Sequence, residues 1–193
     1  LARIIVFGVI IGQTALADAF DAANNAPNSI YELLIGGLLA ASLVPLFTSL
    51  LSSTAQTRES QHGTDAIISV SLLLLGVITI ASIVAAPAIF HLFSIHPAAG
   101  VDVEAFRSAG TALTRIFVVQ IFFYGVSALC SALLNARKRF FAAAWSPIAA
   151  NLITILFLLS IASNSHPDIN DVLDGSTLMW QLGLSTTVGI AVM

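Results

Sequence analysis

The sequence predicts an all-α bundle of membrane-spanning helices, and three observations carry the prediction. Only 9% of the 193 residues are charged, while 58% are hydrophobic. A soluble domain carries about 25% charged residues, so lipid must solvate much of this surface. Uncharged runs recur at lengths near the ~20 helical residues that cross the hydrocarbon core. The connections between these runs are alternately basic and non-basic, as the positive-inside rule expects. The runs lack the alternation of a membrane barrel, and backbone groups in lipid must bond internally, which leaves helices.

In chain order the pattern predicts about six helices, over 1–13, 15–52, 64–93, 103–136, 140–163 and 176–193. The first rests on the short uncharged run Ile4 to Ala17. The second rests on the uncharged run Leu33 to Thr57, and the third contains the uncharged run Ala66 to His91. The fourth contains Ile116 to Ala136 and begins near Val103; the fifth is apolar from Phe140 through Ala162. The sixth, Ser176 to Met193, is unfinished. Leu1 is not an initiator methionine and Met193 falls within an apolar run. With no signal peptide visible, the chain reads as a piece of a longer protein, truncated at both ends.

Orientation follows from the connections. Arg58 follows the second helix, and Arg137, Lys138 and Arg139 follow the fourth. The connections His96 to Val101 and Asn164 to Gly175 hold no Lys or Arg; the latter instead carries Asp168, Asp171 and Asp174. The basic connections are therefore assigned to the cytoplasm and the acidic one to the outside.

Several functions are disfavoured. A net charge of −3 without a basic patch gives no support for nucleic-acid binding. Cys130 is the single cysteine and sits in an apolar run, so it reads as a small core residue. His62, His91, His96 and His166 show no metal-ligand spacing. There is no phosphate-binding glycine loop, HExxH or nucleophile elbow. No catalytic group and no cofactor are expected, and a coupling ion is left unspecified.

Ionisable and amide groups at membrane depth are the informative ones, because each is costly unless paired or hydrated. Arg3 lies near the start of the first helix. Asp18 and Asp21 open the second at i and i+3, and Asn24, Asn25, Asn28 and Glu32 follow. Asn28 and Glu32 share a face at i and i+4. This helix is expected to be interrupted at Ala26-Pro27-Asn28, since proline removes a donor and restricts its predecessor. Gly36-Gly37 and Pro45 weaken it further. Such helices often line a transporter's substrate path, although a plain packing kink has the same signature. Arg107, Thr111 and Arg115 fall at i, i+4 and i+8, a polar stripe expected to face a bundle interior or an aqueous cavity. The alternatives are structural: a helix-start charge for Asp18, snorkelling for Arg107, and a structural ion pair for Glu32.

Two blocks then carry a resemblance. Ala17-Asp18-Ala19-Phe20, Ala26-Pro27-Asn28, Gly37 and Val44-Pro45 look like the first-to-second-helix signature of MurJ-type (MviN) lipid II flippases. These belong to the multidrug/oligosaccharidyl-lipid/polysaccharide exporter superfamily. Arg115, Ala132-Leu133-Leu134-Asn135, Arg139-Phe140, Pro147 and Asn151 are similar in order and spacing to the family's next block. The resemblance implies the N-terminal lobe of a multi-pass transporter, not an enzyme, in the bacterial cytoplasmic membrane. Its missing C-terminal lobe would complete a cationic cavity of alternating access. The implied partner, besides membrane lipid, is a lipid-linked anion with an undecaprenyl-diphosphate headgroup. Arg3, Arg115 and Asn28 are expected to bind it, since arginines offer bidentate donors to phosphate. Asp18 and Glu32 are expected to act in gating or as charge partners, and Pro27, Gly36 and Gly37 to break the helix. Tyr31 stands where many members carry a cavity arginine, Gly36 where a glutamate is common, and Val119 where a proline is common. The rival readings are a polysaccharide-unit flippase, a cation-coupled drug antiporter, or a non-transport membrane component of cell-wall synthesis.

Overall fold

A computed structural model describes residues 2–32, 58–95, 100–136, 140–161, 167–174 and 176–193. Among these residues every regular element is a helix: α1 (Ala2–Ile10), α2 (Ala15–Tyr31), α3 (Arg58–Val84), α4 (Ala86–Phe93), α5 (Val103–Phe117), α6 (Gln120–Ala136), α7 (Phe140–Ile161), α8 (Ile169–Asp174) and α9 (Ser176–Ala191). The expected second helix beyond Glu32, with Gly36, Gly37 and Pro45, lies outside the described residues, as does the Arg137-Lys138-Arg139 connection.

Local chemistry sets the junction between α1 and α2. Gly12 takes a left-handed φ of 70°, a conformation glycine adopts without steric cost after a helix. Its N–H donates to Gly8 O at 3.0 Å. Thr14 then caps α2, its hydroxyl oxygen accepting from the Ala17 N–H at 3.3 Å. Once started, α2 does not break where expected. It runs unbroken through Pro27 to Tyr31. Proline forfeits one backbone bond but its φ suits a helix, and Ala23, Ala26 and Pro27 are buried in the packed bundle, which holds the continuous form.

Two further segments differ from the expected single helices. The stretch 64–93 starts earlier, at Arg58, and divides into α3 and α4 around Ala85. Pro87 is the physical reason, since it cannot donate to the carbonyl of Ile83 and favours the first turn of a new helix. The stretch 103–136 divides into α5 and α6 at Val118-Val119. There Ile121 N–H donates to Val118 O at 3.1 Å and Phe122 N–H to Val119 O at 3.2 Å, tight bonds between residues three apart. One turn earlier the Thr114 hydroxyl donates back to Gly110 O at 2.7 Å, a bond that tends to bend helices.

The short helix α8 lies where an acidic connection was expected. Asp168 Oδ1 accepts from Ile169 N–H at 2.7 Å, and Asp168 N–H donates to Asp171 Oδ2 at 2.8 Å. The second of these is the backward half of a capping box. Ile169 and Val172 are then buried in the core.

A main core joins α1, α2, α4, α5, α7, α8 and α9, and a smaller one, with Leu75, Leu129 and Ala132, joins α3 to α6. α7 and α9 pack along each other, α2 lies on α5, and α4 closes against α5. Gly110 permits that last approach, because any Cβ there would collide with the Phe90 ring. Phe7 and Phe20 lie 4.6 Å apart, and Phe20 meets Phe117 edge-on at 5.1 Å. Edge-on and offset contacts of this kind add to plain burial. Cys130, expected in the core, is instead exposed on α6. In a lipid-solvated bundle an outward thiol on an apolar helix costs little, so burial is not required of it.

The outer surface is apolar on some helices. Val70, Leu73, Leu74, Val77 and Ile80 of α3 are exposed, as are Ile148, Leu152, Leu156 and Leu159 of α7. Asp65–Val84 and Val103–Asn135 are long and apolar enough to cross a membrane. Exposed apolar stripes of this extent would be an aggregation hazard in water. The structure is a membrane helix bundle.

Candidate functional site

Polar groups gather in two concavities. The first is a cavity of about 290 Å³ between α1, α2, α7 and α9. Its polar lining comes from Arg3 in the first turn of α1, Asp21, Asn24, Asn25 and Asn28 on α2, Thr154 on α7 and Thr186 on α9. On α2 these four residues fall at i, i+3, i+4 and i+7, one face of a helix. Phe7, Phe20 and Leu158 supply apolar wall. The cavity thus brings together one guanidinium, one carboxylate and a row of carboxamides.

The second concavity is a groove of about 720 Å³, lined among the described residues by one face of α5: Val103, Glu104, Arg107, Ser108, Thr111, Ala112 and Arg115. Arg107, Ser108 and Arg115 are exposed and Thr111 is half-buried. The opposite face, with Phe106, Ala109, Leu113 and Phe117, is buried. Near the helix start, Arg107 Nη2 stands 3.4 Å from His91 Nε2.

The structure therefore groups some of the expected site residues and separates others. Arg3 and Asn28 share the cavity, whereas Arg115 lines the α5 groove. Asp18 is exposed in the first turn of α2 and lines neither concavity. Glu32 is exposed at the other end of α2, its N–H shared between Asn28 O and Ser29 O. Pro27 is buried on α2. Gly36 and Gly37 lie outside the described residues. Among the described residues no group of three or more His, Cys, Asp or Glu is set to hold a metal ion.

Sequence reasoning missed several polar contacts around the cavity. Tyr124 on α6 donates to Asn28 Oδ1 at 2.7 Å, and its ring lies 4.4 Å from that of Tyr31. Gln120 is fully buried and donates through Nε2 to Thr186 Oγ1 at 2.9 Å and Thr187 Oγ1 at 3.1 Å. Thr187 in turn donates to Gly183 O at 2.8 Å. With its proton committed there, the Thr187 oxygen can only accept, which fixes which end of the Gln120 amide faces it. The signal for these residues was weak: single polar side chains in apolar runs, whose partners lie up to 96 positions away.

An all-helical bundle with apolar outer stripes and an arginine-bearing polar cavity defines a membrane protein with an internal polar site. The family model described as Lipid II flippase MurJ matches residues 7–192. The chain belongs to the MurJ lipid II flippase family. It is similar to the probable lipid II flippase MurJ of Treponema pallidum (strain Nichols), 26% identical over 174 residues, which is 88% of this chain and 31% of that protein. It is 31% identical over 157 residues to the probable lipid II flippase MurJ of Rhizobium tropici, 80% of this chain and 28% of that protein. It is 28% identical over 183 residues to the corresponding protein of Rhizobium meliloti (strain 1021), 95% of this chain and 33% of that protein. The chain thus spans about a third of the length of the curated relatives it matches.

Proposed function

We propose that residues 1–193 are the N-terminal lobe of a multi-pass flippase in the bacterial cytoplasmic membrane, which carries lipid II across that membrane for cell-wall synthesis. The full protein is a transporter, not an enzyme, and works by alternating access: two lobes rock about a midplane site while the lipid tail stays in hydrocarbon. Arg3 and Asn28 bind the diphosphate from the cavity, and Arg115 does so from the α5 face. Arginine keeps its charge in a low-dielectric passage and meets phosphate oxygens in pairs. Asp18 and Glu32 act as gate or charge partners, since their exposure at the two ends of α2 leaves them accessible to the rest of the protein. The missing N–H at Pro27 leaves a point at which α2 can bend between states.

The observation that carries this reading is the sharing of one cavity by Arg3 and Asn28. A half-buried cation with adjacent amide donors suits an anion better than a neutral or cationic solute. The test is translocation of fluorescent lipid II by the full-length protein in proteoliposomes. Wild type is expected to expose the headgroup on the opposite leaflet and Arg3→Ala to lose most of that activity. No translocation by wild type beside a working control contradicts the proposal. One observation favours a cation-coupled antiporter instead: Asp21 lines the same cavity. For that alternative Asp21→Asn would abolish transport and Arg3→Ala would leave it largely intact.

A further inference from the structure

Asparagine is ambiguous as an anion ligand, because its carboxamide carries donors on one end and an acceptor on the other. At a cavity wall, Asn28 can recognise an anion only if Nδ2 faces inward; the reverse orientation presents Oδ1 and repels it. Something must hold the amide one way. Tyr124 is the group in contact. Its hydroxyl donates to Asn28 Oδ1 at 2.7 Å, and a phenol in a half-buried setting needs such an acceptor. The ring is braced by Tyr31, whose centroid lies 4.4 Å away. Tyr31 and Asn28 sit three residues apart on α2, so the helix that presents the amide also supports the phenol.

We infer that Tyr124 is a positioning residue for anion binding: by occupying Asn28 Oδ1 it leaves the two Nδ2 donors to the cavity, where Arg3 supplies the charge. Tyr124 itself lies outside the cavity lining and acts through Asn28. The inference rests on the proposed function insofar as the anion is the diphosphate of lipid II. It adds a residue on α6, so the cavity's preference for an anion is set by contact between helices and not by α2 alone.

The experiment is equilibrium binding of lipid II to the full-length protein in nanodiscs. Tyr124→Phe keeps the ring and its stack on Tyr31 while removing the hydroxyl. It is expected to weaken binding about five- to tenfold, the scale of one hydrogen bond, with the melting temperature unchanged. In an Asn28→Ala background the same substitution should have no further effect. Asn28→Asp keeps an acceptor for Tyr124 but removes both donors, so it should weaken binding at least as much as Tyr124→Phe. Wild-type affinity in either Tyr124→Phe or Asn28→Asp overturns the inference. So does an equal loss from Tyr124→Phe with and without Asn28, because the effect would then not pass through the amide. Arg3→Ala separates the two levels. Lost affinity in Arg3→Ala beside wild-type affinity in Tyr124→Phe removes the positioning role alone. Unchanged affinity in Arg3→Ala removes the proposed function and this inference with it.

Discussion

The exposed stripe of α5 and the exposed stripe of α3 are alike in being uncovered, yet they are made of opposite chemistry. On α5 the outward groups are Arg107, Ser108 and Arg115, with Thr111 half-buried beside them; on α3 they are Val70, Leu73, Leu74, Val77 and Ile80. Both helices belong to segments long and apolar enough to cross a membrane. Acyl chains can cover the second stripe at no cost but not the first, because charged groups facing hydrocarbon are unfavourable. The difference separates a lipid-facing side of the bundle from a side suited to water or to other polar groups. The polar cavity with Arg3 and Asn28 makes the same distinction inside the bundle.

Moving charge between the stripes should have the largest effect. Leu73→Arg or Leu156→Arg in the full-length protein should sharply reduce the yield in the membrane fraction, as an arginine at membrane depth costs roughly 2.5–3.5 kcal/mol on insertion scales. Thr111→Arg should be tolerated. Equal yields for the three would erase the distinction. A second effect concerns packing beneath the polar stripe. Gly110→Ala places a methyl group against the Phe90 ring and should destabilise by about 1–3 kcal/mol, read as a lower melting temperature in detergent. Phe90→Leu in the same chain should recover part of the loss. The smallest effect is expected at Gln120→Leu. It removes two interhelical hydrogen bonds, but in membrane proteins such bonds average only about 0.6 kcal/mol. A shift in melting temperature as large as that of Gly110→Ala would show that this network does more than join α6 to α9.

Much of the architecture was readable because membrane helices announce themselves. Runs such as Ala66 to His91 leave no other way to satisfy the backbone. What escaped were features decided by single bonds. The capping residues of α8 stood in the sequence as Asp168 and Asp171, but an acidic connection between apolar runs has the same composition. The turn at Val118-Val119 contains neither proline nor glycine to mark it. Pro27 erred in the other direction, since burial held α2 together where local rules predicted a break. The candidate site divides in the same way. Arg3 and Asn28 were legible as polar groups at membrane depth. Thr154, Thr186 and Tyr124 were not, because only the packing of α6, α7 and α9 brings them to the cavity or to Asn28.

Cysteine accessibility tests the two-sided character of the bundle most directly. In a full-length protein freed of every native cysteine, Cys130 included, single cysteines would be placed at Ser108, Thr111 and Asn25 on the polar side and at Leu73 and Leu156 on the apolar side. The charged, membrane-impermeant thiol reagent is then applied to both membrane faces. The polar positions should label, and added lipid II should slow labelling at Asn25, while the apolar positions stay unreacted. Labelling at Leu73 and Leu156 with none at Thr111 and Asn25 would put water on the apolar side of these helices and contradict the two-sided arrangement.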